Sequence, residues 1–136
     1  MPTMRLEIIT AERVVFSDDV ELVVAPGVEG QLGILPHHAP LLTILQPGEI
    51  RVVKGGQEQF LAVSGGFLEV LGNKVTILAD ACERAEEIDL EHARQAMERA
   101  QQALAAGARE ADLAQALATL RHAQVRVAVA RRRRAA

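Results

Sequence analysis

The histidine pair His37–His38 is the feature of this sequence whose residue types most readily suggest chemistry. The pair stands between Pro36 and Pro40 in GVEGQLGILPHHAPLL, residues 27–42. Adjacent side chains on extended backbone point in opposite directions, so the two rings are not expected to bind one metal ion together. No Cys or Asp nearby completes a ligand set, and the sequence therefore predicts no metal site.

Three glycines precede the histidines at three-residue spacing, Gly27, Gly30 and Gly33, and they raise the question of a phosphate-binding loop. Such a loop in nucleotide hydrolases ends in Lys followed by Ser or Thr and joins a strand to a helix, and this stretch has neither property. We therefore expect the glycines to permit tight turns and close backbone approach. Ser64, in AVSGGFLEV, lies in strand-like sequence and not in the sharp turn of a serine nucleophile. No catalytic residue is predicted.

The composition describes a folded domain with an aliphatic core, since 49% of the residues are hydrophobic and 24% are charged. Aromatic residues make up 2%, which argues against modules that bind nucleic acids by stacking on aromatic side chains. A single cysteine, Cys82, cannot form an internal disulfide and is expected to be a small buried hydrophobe in a reducing compartment. With no signal peptide and no apolar stretch of about 20 residues, we expect a soluble cytoplasmic protein that could still sit on a membrane complex.

The first two thirds of the chain predict an all-β structure. Gly55-Gly56 and Gly72-Asn73 separate neighbouring runs and predict tight hairpins. Such closely spaced short strands indicate a sandwich or barrel. The candidate strands, rich in Val, Ile and Leu, are residues 6–10, 13–16, 20–25, 32–35, 41–45, 50–53, 58–63, 67–70 and 75–78.

After residue 85 the apolar period changes to that of a helix. Asp89 is the expected N-cap, and Gly107 is the expected end of the first helix. Its apolar stripe consists of Leu90, Ala93, Met97, Ala100 and Leu104. A second helix is expected over about residues 111–130, with a heptad-like seam at Leu113, Leu117, Leu120, Gln124 and Val127. The sequence thus predicts an N-terminal β-sandwich domain at 1–86 and a C-terminal antiparallel two-helix hairpin at 87–136.

Charge is distributed unevenly between these two parts. Residues 1–88 carry a net charge of −7 and residues 89–136 a net charge of +4, ending in the run Arg131–Arg134. We expect the arginine run to be a solvated helix end, where positive charge also suits the helix dipole. An alternative is a stand-alone β-sandwich binding module with a basic nucleic-acid-binding tail, whose binding would depend on salt.

Four stretches together closely resemble epsilon subunits of bacterial F-type ATP synthases: EGQLGILPHHAPLL, LAVSGGFLEV, KVTILADACERAEEID and the helical hairpin. The resemblance covers essentially the whole chain. It implies a sandwich of about ten strands followed by the hairpin, in a subunit that is not itself an enzyme and requires no cofactor. It also implies a place in the central stalk, the rotor of a proton-translocating synthase, where the subunit couples gamma to the c-ring. The hairpin would inhibit ATP hydrolysis when it extends along gamma towards the alpha and beta subunits.

The resemblance further implies which residues meet these partners. A loop from Glu29 to Leu42 would face the c-ring at one end of the sandwich, on the cytoplasmic side of the bacterial inner membrane. The protein would touch the membrane only through the complex and would bind no nucleic acid. The expected c-ring and gamma interface residues are Glu29, Gly30, Gly33, Ile34, Pro36, His38, Pro40 and Leu42. The basic residues expected to meet the beta subunit in the inhibited state are Arg121, Arg126, Arg131, Arg132, Arg133 and Arg134.

Some relatives bind ATP on the folded hairpin through the motif Ile/Leu-Asp-x-x-Arg-Ala. In this chain Ile88, Asp89 and Ala93 match that motif, but His92 occupies the arginine position. On the final helix, Arg126 matches and His122 replaces a second arginine. Arginine offers phosphate a permanent bidentate charge, whereas histidine is mostly neutral near pH 7. We therefore expect ATP to be at most a weak regulatory ligand.

Overall fold

Within the part of the chain that the structure describes, ten β-strands form the first of two compact units, which ends at Arg84. The structure is a computed structural model that describes residues 2–107 and 109–135, with the backbone alone described at 110, 111 and 133–135. The strands are β1 (Met4–Ile9), β2 (Val14–Val20), β3 (Leu22–Gly27), β4 (Gly30–Ile34), β5 (Leu41–Leu45), β6 (Gly48–Lys54), β7 (Gln57–Val63), β8 (Gly66–Leu71), β9 (Lys74–Ala79) and β10 (Cys82–Arg84).

The strands form a single sheet that folds over into a sandwich. Their hydrogen-bonded order is β10-β7-β6-β3-β5-β8-β9-β1-β2, and β4 pairs with β3 outside this path. The two end strands meet through Arg84, whose Nε donates a hydrogen bond of 3.0 Å to the carbonyl oxygen of Val15. The Arg84 guanidinium also lies over the Phe16 ring, 5.4 Å from its centroid. This contact brings the sheet close to a closed barrel.

The sandwich interior is filled by aliphatic side chains from alternating strand positions. In β1 and β8 every second residue is buried, as the period-two pattern predicts. All nine predicted strands are confirmed, with unchanged ends at residues 41–45 and shifted ends elsewhere, while the short, polar β10 was missed. Both predicted hairpins are also confirmed, since Gly55, Gly56, Gly72 and Asn73 have φ angles of 59°, 75°, 58° and 58°. Positive φ at both turn positions matches the right-handed twist of the flanking strands.

The second unit begins with a short 3₁₀ helix, Ala85–Glu87, and continues as α1 (Leu90–Ala105) and α2 (Glu110–Ala135). The unit therefore starts two residues before the predicted domain boundary, because the 3₁₀ helix belongs to it. Asp89 is the N-cap as predicted: its Oδ1 accepts a hydrogen bond of 3.0 Å from the backbone N–H of His92. Gly107 follows α1 with a φ of 78°, which confirms it as the end of that helix.

The seam between the two helices differs from the predicted leucine stripe. Leu113 and Leu117 are 39% and 45% exposed. The cleft between the helices is instead lined by Ala96, Arg99, Ala100, Ala103, Asp112, Gln115, Ala116 and Thr119. Ala100 is buried on α1, whereas the buried residues of α2 lie in its second half, at Ala123, Val127, Val129 and Ala130. The heptad prediction was wrong for the first half of α2 and right at Val127, which is buried.

Candidate functional site

The exposed strand β4 and its flanking turns carry most of the predicted interface residues. Glu29 occupies the two-residue turn between the paired residues Gly27 and Gly30, at the start of β4. His38 follows the end of β4, in the connection to β5. A five-residue strand rises about 16 Å, so Glu29 and His38 lie at opposite ends of β4. The predicted loop from Glu29 to Leu42 is thus interrupted by β4, because residues 30–34 pair with β3.

Exposure separates the predicted interface residues into two groups. Leu42 is 70% exposed, and Ile34 is 0% exposed. The side chain of Ile34 faces the sandwich core, so the prediction that it contacts a partner was wrong. Pro36 is half-buried. Five further predicted interface residues are exposed: Glu29, Gly30, Gly33, His38 and Pro40.

The histidine pair lies in a turn at the end of β4. The backbone N–H of His38 donates a hydrogen bond of 3.2 Å to the carbonyl oxygen of Leu35 and closes the turn. Pro36 supplies the fixed φ that suits the second turn position, and His37 at the third has a φ of 65°. His38 Nδ1 lies 2.7 Å from the carbonyl oxygen of Ala39. The turn therefore presents two exposed imidazoles on a backbone of defined shape.

An apolar row on the outer face of the sandwich was not predicted from the sequence. Ile44 pairs with Phe67 across β5 and β8, and Phe67 pairs with Leu78 across β8 and β9. These three side chains are 52%, 52% and 54% exposed. Exposed apolar side chains grouped in this way mark interaction surfaces. The available signal was the strand LLTIL, which is apolar on both faces and not only on one.

The helical unit brings together the residues of the partly matching nucleotide motif. The Nη1 atom of Arg126 lies 3.2 Å from Nδ1 of His92, joining α2 to α1. Because a guanidinium can only donate, His92 Nδ1 must accept in this contact. Asp89 caps α1, while Ile88 and Ala93 are buried and His122 is half-buried. The sequence prediction placed these residues together without indicating that His92 would bind Arg126.

The predicted basic residues lie along the second half of α2. Arg121, Arg131 and Arg132 are exposed, and Arg126 is half-buried. The side chains of Arg133 and Arg134 lie outside the described part of the structure. The helix continues to Ala135 instead of ending near residue 130, so the arginine run is part of α2. Arginine is a good helix former, and its charge is favourable near the helix C-terminus.

Neither a metal centre nor a membrane span is found in the described residues. Over 2–107 and 109–135, no three His, Cys, Asp or Glu side chains converge as metal ligands would. In the same part of the chain, neither α1 nor α2 combines the length and apolar character of a membrane-crossing helix. Cys82 is 5% exposed in β10, as expected for a buried hydrophobe.

Two family models match consecutive parts of the chain. The β-sandwich domain of the ATP synthase delta/epsilon chain matches residues 3–85, and the long α-helix domain of the same chain matches residues 86–131. The chain is 56% identical over 131 residues to the ATP synthase epsilon chain of Herpetosiphon aurantiacus, covering 96% of each sequence. It is 52% identical over 135 residues to the epsilon chain of Dehalococcoides mccartyi, covering 98% of this chain and 96% of that one.

Solved structures show the same architecture. One similar chain belongs to a cryo-electron microscopy structure of the Euglena gracilis mitochondrial ATP synthase that comprises OSCP, F1 and the c-ring. The TM-score is 0.79 at 26% identity, covering 91% of this chain and 79% of that one. A chain from the central stalk and c-ring of the Tetrahymena thermophila mitochondrial enzyme shares the fold, with a TM-score of 0.55 at 19% identity and coverage of 64% and 70%. These similarities do not support the alternative of a stand-alone nucleic-acid-binding module.

Proposed function

The chain belongs to the ATP synthase delta/epsilon chain family, and we propose that it links gamma to the c-ring within the central stalk of a bacterial enzyme. Within the F-type ATP synthase it is the epsilon subunit, a non-catalytic member of the central stalk. The observation that carries the proposal is the consecutive match of both domain types over residues 3–131. As a peripheral component of this complex, it would lie on the cytoplasmic face of the inner membrane.

The β4 edge, defined as strand β4 with its flanking turns over residues 28–40, is the surface we assign to the c-ring. It is exposed along most of its length, and it offers both a carboxylate and the histidine pair. Within the described residues β4 pairs only with β3, so its outer edge also offers backbone hydrogen-bonding groups. The apolar row of Ile44, Phe67 and Leu78 suits a contact from which water is excluded, and we assign it to gamma.

Disulfide crosslinking in the assembled complex tests this surface. Glu29→Cys and His38→Cys probe the two ends of the β4 edge against cysteines in the c-subunit loops. The natural Cys82 is buried and gives little background. Gln57→Cys is a matched control, since Gln57 is exposed at the start of β7, beyond β3 and β6. We expect crosslinks from at least one end of the β4 edge and none from Gln57; failure of both β4-edge variants refutes the assignment.

The helical unit is the proposed inhibitor of ATP hydrolysis. Exposed arginines on α2 give it positive charge that can pair with acidic segments of the beta subunit, and such pairing weakens with salt. The strands end at Arg84, so deletion of residues 87–136 leaves all ten strands in place. We expect the truncated complex to assemble, to keep proton coupling and to hydrolyse ATP faster. Equal hydrolysis rates in the truncated and complete complexes would refute the inhibitory role.

Charge substitution gives a finer control on the same proposal. The variant Arg121→Gln, Arg131→Gln and Arg132→Gln keeps α2 intact, because glutamine is also a good helix former. We expect it to raise ATP hydrolysis at low ionic strength and to differ little from the natural complex at high ionic strength. A rise that is independent of salt would point to loss of packing instead of loss of charge pairing.

We propose that the helical hairpin binds ATP only weakly. His92 lacks the permanent charge of arginine, and its Nδ1 also occupies one hydrogen-bond donor of Arg126. Calorimetric titration of the full chain near neutral pH should therefore show little heat from ATP. The variant His92→Arg should bind ATP more tightly, whereas His92→Gln, which adds no charge, should not. Micromolar affinity of the unaltered chain would contradict the proposal.

A further inference from the structure

The side chain of Asn73 joins three separate segments at one end of the sandwich. Its Oδ1 accepts a hydrogen bond of 2.8 Å from the backbone N–H of His37, 36 residues away. Its Nδ2 donates one of 3.1 Å to the carbonyl oxygen of Thr3, 70 residues away. The backbone carbonyl of Asn73 accepts a third, of 3.2 Å, from the N–H of Arg5. The β8–β9 turn is thereby tied to the start of β1 and to the histidine turn.

The histidine turn, Leu35–His38, has little else to fix its shape. Pro36 has no N–H to donate, and the turn is closed by the hydrogen bond from His38 to Leu35. His37 has a φ of 65°, a conformation that is unfavourable for a residue with a Cβ atom. The backbone N–H of His37 has its acceptor outside the histidine turn, at Asn73 Oδ1 in the β8–β9 turn. That bond holds the His37 backbone in the conformation the turn requires.

The β8–β9 hairpin by itself does not require this side chain. A tight turn with positive φ at both positions is well served by glycine at the second position, as in the Gly55-Gly56 hairpin of the same sandwich. Asparagine also tolerates positive φ, but its amide here reaches out of the turn to His37 and Thr3. The oxygen and nitrogen positions are consistent with their partners, since an N–H faces Oδ1 and a carbonyl faces Nδ2.

We propose that Asn73 is the positioning residue that sets the backbone of the histidine turn and anchors it to β1 and β9. The inference rests on the proposed function, in which this turn forms one end of the β4 edge that contacts the c-ring. Force applied to an isolated turn would bend it, because little of its backbone is paired. With Asn73 in place, the same force passes into β1 and β9, which are hydrogen-bonded to each other over five residue pairs.

Two variants of Asn73 distinguish the role of its side-chain hydrogen bonds from the role of the β8–β9 turn conformation. Asn73→Gly keeps the positive φ and removes both side-chain hydrogen bonds. Asn73→Asp keeps an oxygen acceptor for His37 and loses the donor to Thr3. Amide hydrogen exchange of the full chain, followed by NMR, reports the His37 N–H directly. We expect exchange about fivefold faster in Asn73→Gly, the factor that corresponds to one ordinary hydrogen bond. In Asn73→Asp, the rate should be close to that of the natural chain.

Amides inside β8 and β9 provide the control for folding in these measurements. Their exchange should be unchanged in both variants, because the hairpin keeps its preferred turn conformation. If His37 exchanges at the natural rate in Asn73→Gly, the positioning role is overturned. If His37 exchanges equally fast in both variants, the Oδ1 acceptor is not the group that holds the turn, and the inference also fails.

Crosslinking in the complex distinguishes failure of this inference from failure of the proposed function. In a His38→Cys background, Asn73→Gly should lower the yield of the crosslink to the c subunit, and Asn73→Asp should restore it. Faster His37 exchange with no crosslink from His38→Cys, even with Asn73 intact, supports the positioning role and removes this end of the β4 edge from the c-ring contact. Unchanged exchange overturns the inference whatever the crosslinking yield.

Discussion

Gly66, in the stretch AVSGGFLEV, is the position where we expect one added methyl group to do the most damage. Its φ is 143°, and it pairs with Ala79 across β8 and β9. A Cβ atom at this residue would lie 2.2 Å from the carbonyl oxygen of Leu78 and 2.9 Å from the Cα of Ala79. Both obstacles are backbone atoms of the neighbouring strand, so no side chain can rotate out of the way.

The cost of Gly66→Ala has two parts. A non-glycine residue at this φ costs about 1–3 kcal/mol. The added Cβ atom would lie more than about 1 Å closer to the Leu78 carbonyl oxygen than ordinary van der Waals contact allows. Separating β8 from β9 to relieve this overlap adds about 1–3 kcal/mol. The combined loss of about 2–6 kcal/mol is a large fraction of the stability expected for a domain of this size, about 4–13 kcal/mol.

Gly30→Ala is the matched control for this substitution. Gly30 has a similar φ of 131°, but an added Cβ would meet no atom within 4 Å. It therefore carries the backbone cost without the collision with a neighbouring strand. The difference between the two variants isolates the close approach of β8 and β9.

Urea unfolding of the full chain, followed by far-ultraviolet circular dichroism, measures both variants. Tryptophan and tyrosine are absent from the sequence, so intrinsic fluorescence cannot be used. We expect the unfolding midpoint of Gly66→Ala to fall by about 1 M urea or more, and that of Gly30→Ala to fall by less. Exchange of β8 and β9 amides should locate the damage in the sandwich. Equal midpoints for the two variants would refute the close-approach argument.

Three further predictions concern other parts of the chain. Asp89→Ala should destabilise the helical unit by about 1 kcal/mol, whereas Asp89→Asn keeps the cap, and equal helix melting of the two variants would contradict this. The hydrogen bond from Lys74, 2.9 Å from Glu7 Oε1, lowers the pKa of Glu7, and the charge of Lys74 adds to the effect. The unfolded chain then binds a proton at Glu7 more readily than the folded chain does. The stabilisation from the Glu7–Lys74 pair is therefore present above the ordinary glutamate pKa of about 4.3 and is lost as the pH falls through the lower folded pKa. Thermal unfolding of Glu7→Gln should accordingly depend less on pH below pH 5 than that of the natural chain. Cys82 should react with thiol reagents only as fast as the sandwich opens, and fast labelling of the folded chain would show that β10 is not held as described.

Local sequence signals account for most of the elements. Short runs rich in Val, Ile and Leu predicted nine strands, glycine and asparagine predicted both hairpins, and Asp89 with Gly107 predicted the limits of α1. Each of these signals acts between residues close together in the chain, so a linear pattern is enough to reveal it. The strand β10 was not predicted because it is three residues long and polar. Its partner β7 and the contact of Arg84 with Val15 come from distant parts of the chain.

Tertiary structure decided the features that depend on distant residues. The leucine stripe of α2 predicted a heptad seam, but Leu113 and Leu117 are exposed, and the buried residues of α2 include Ala123 and Val127. Ile34 and Leu42 look alike in the sequence, and only folding buries one and exposes the other. The same is true of His37, which gave no local sign that its N–H would meet Asn73 across 36 residues. Backbone conformation follows from neighbours in sequence, whereas burial and partners follow from neighbours in space, and only the folded chain fixes those.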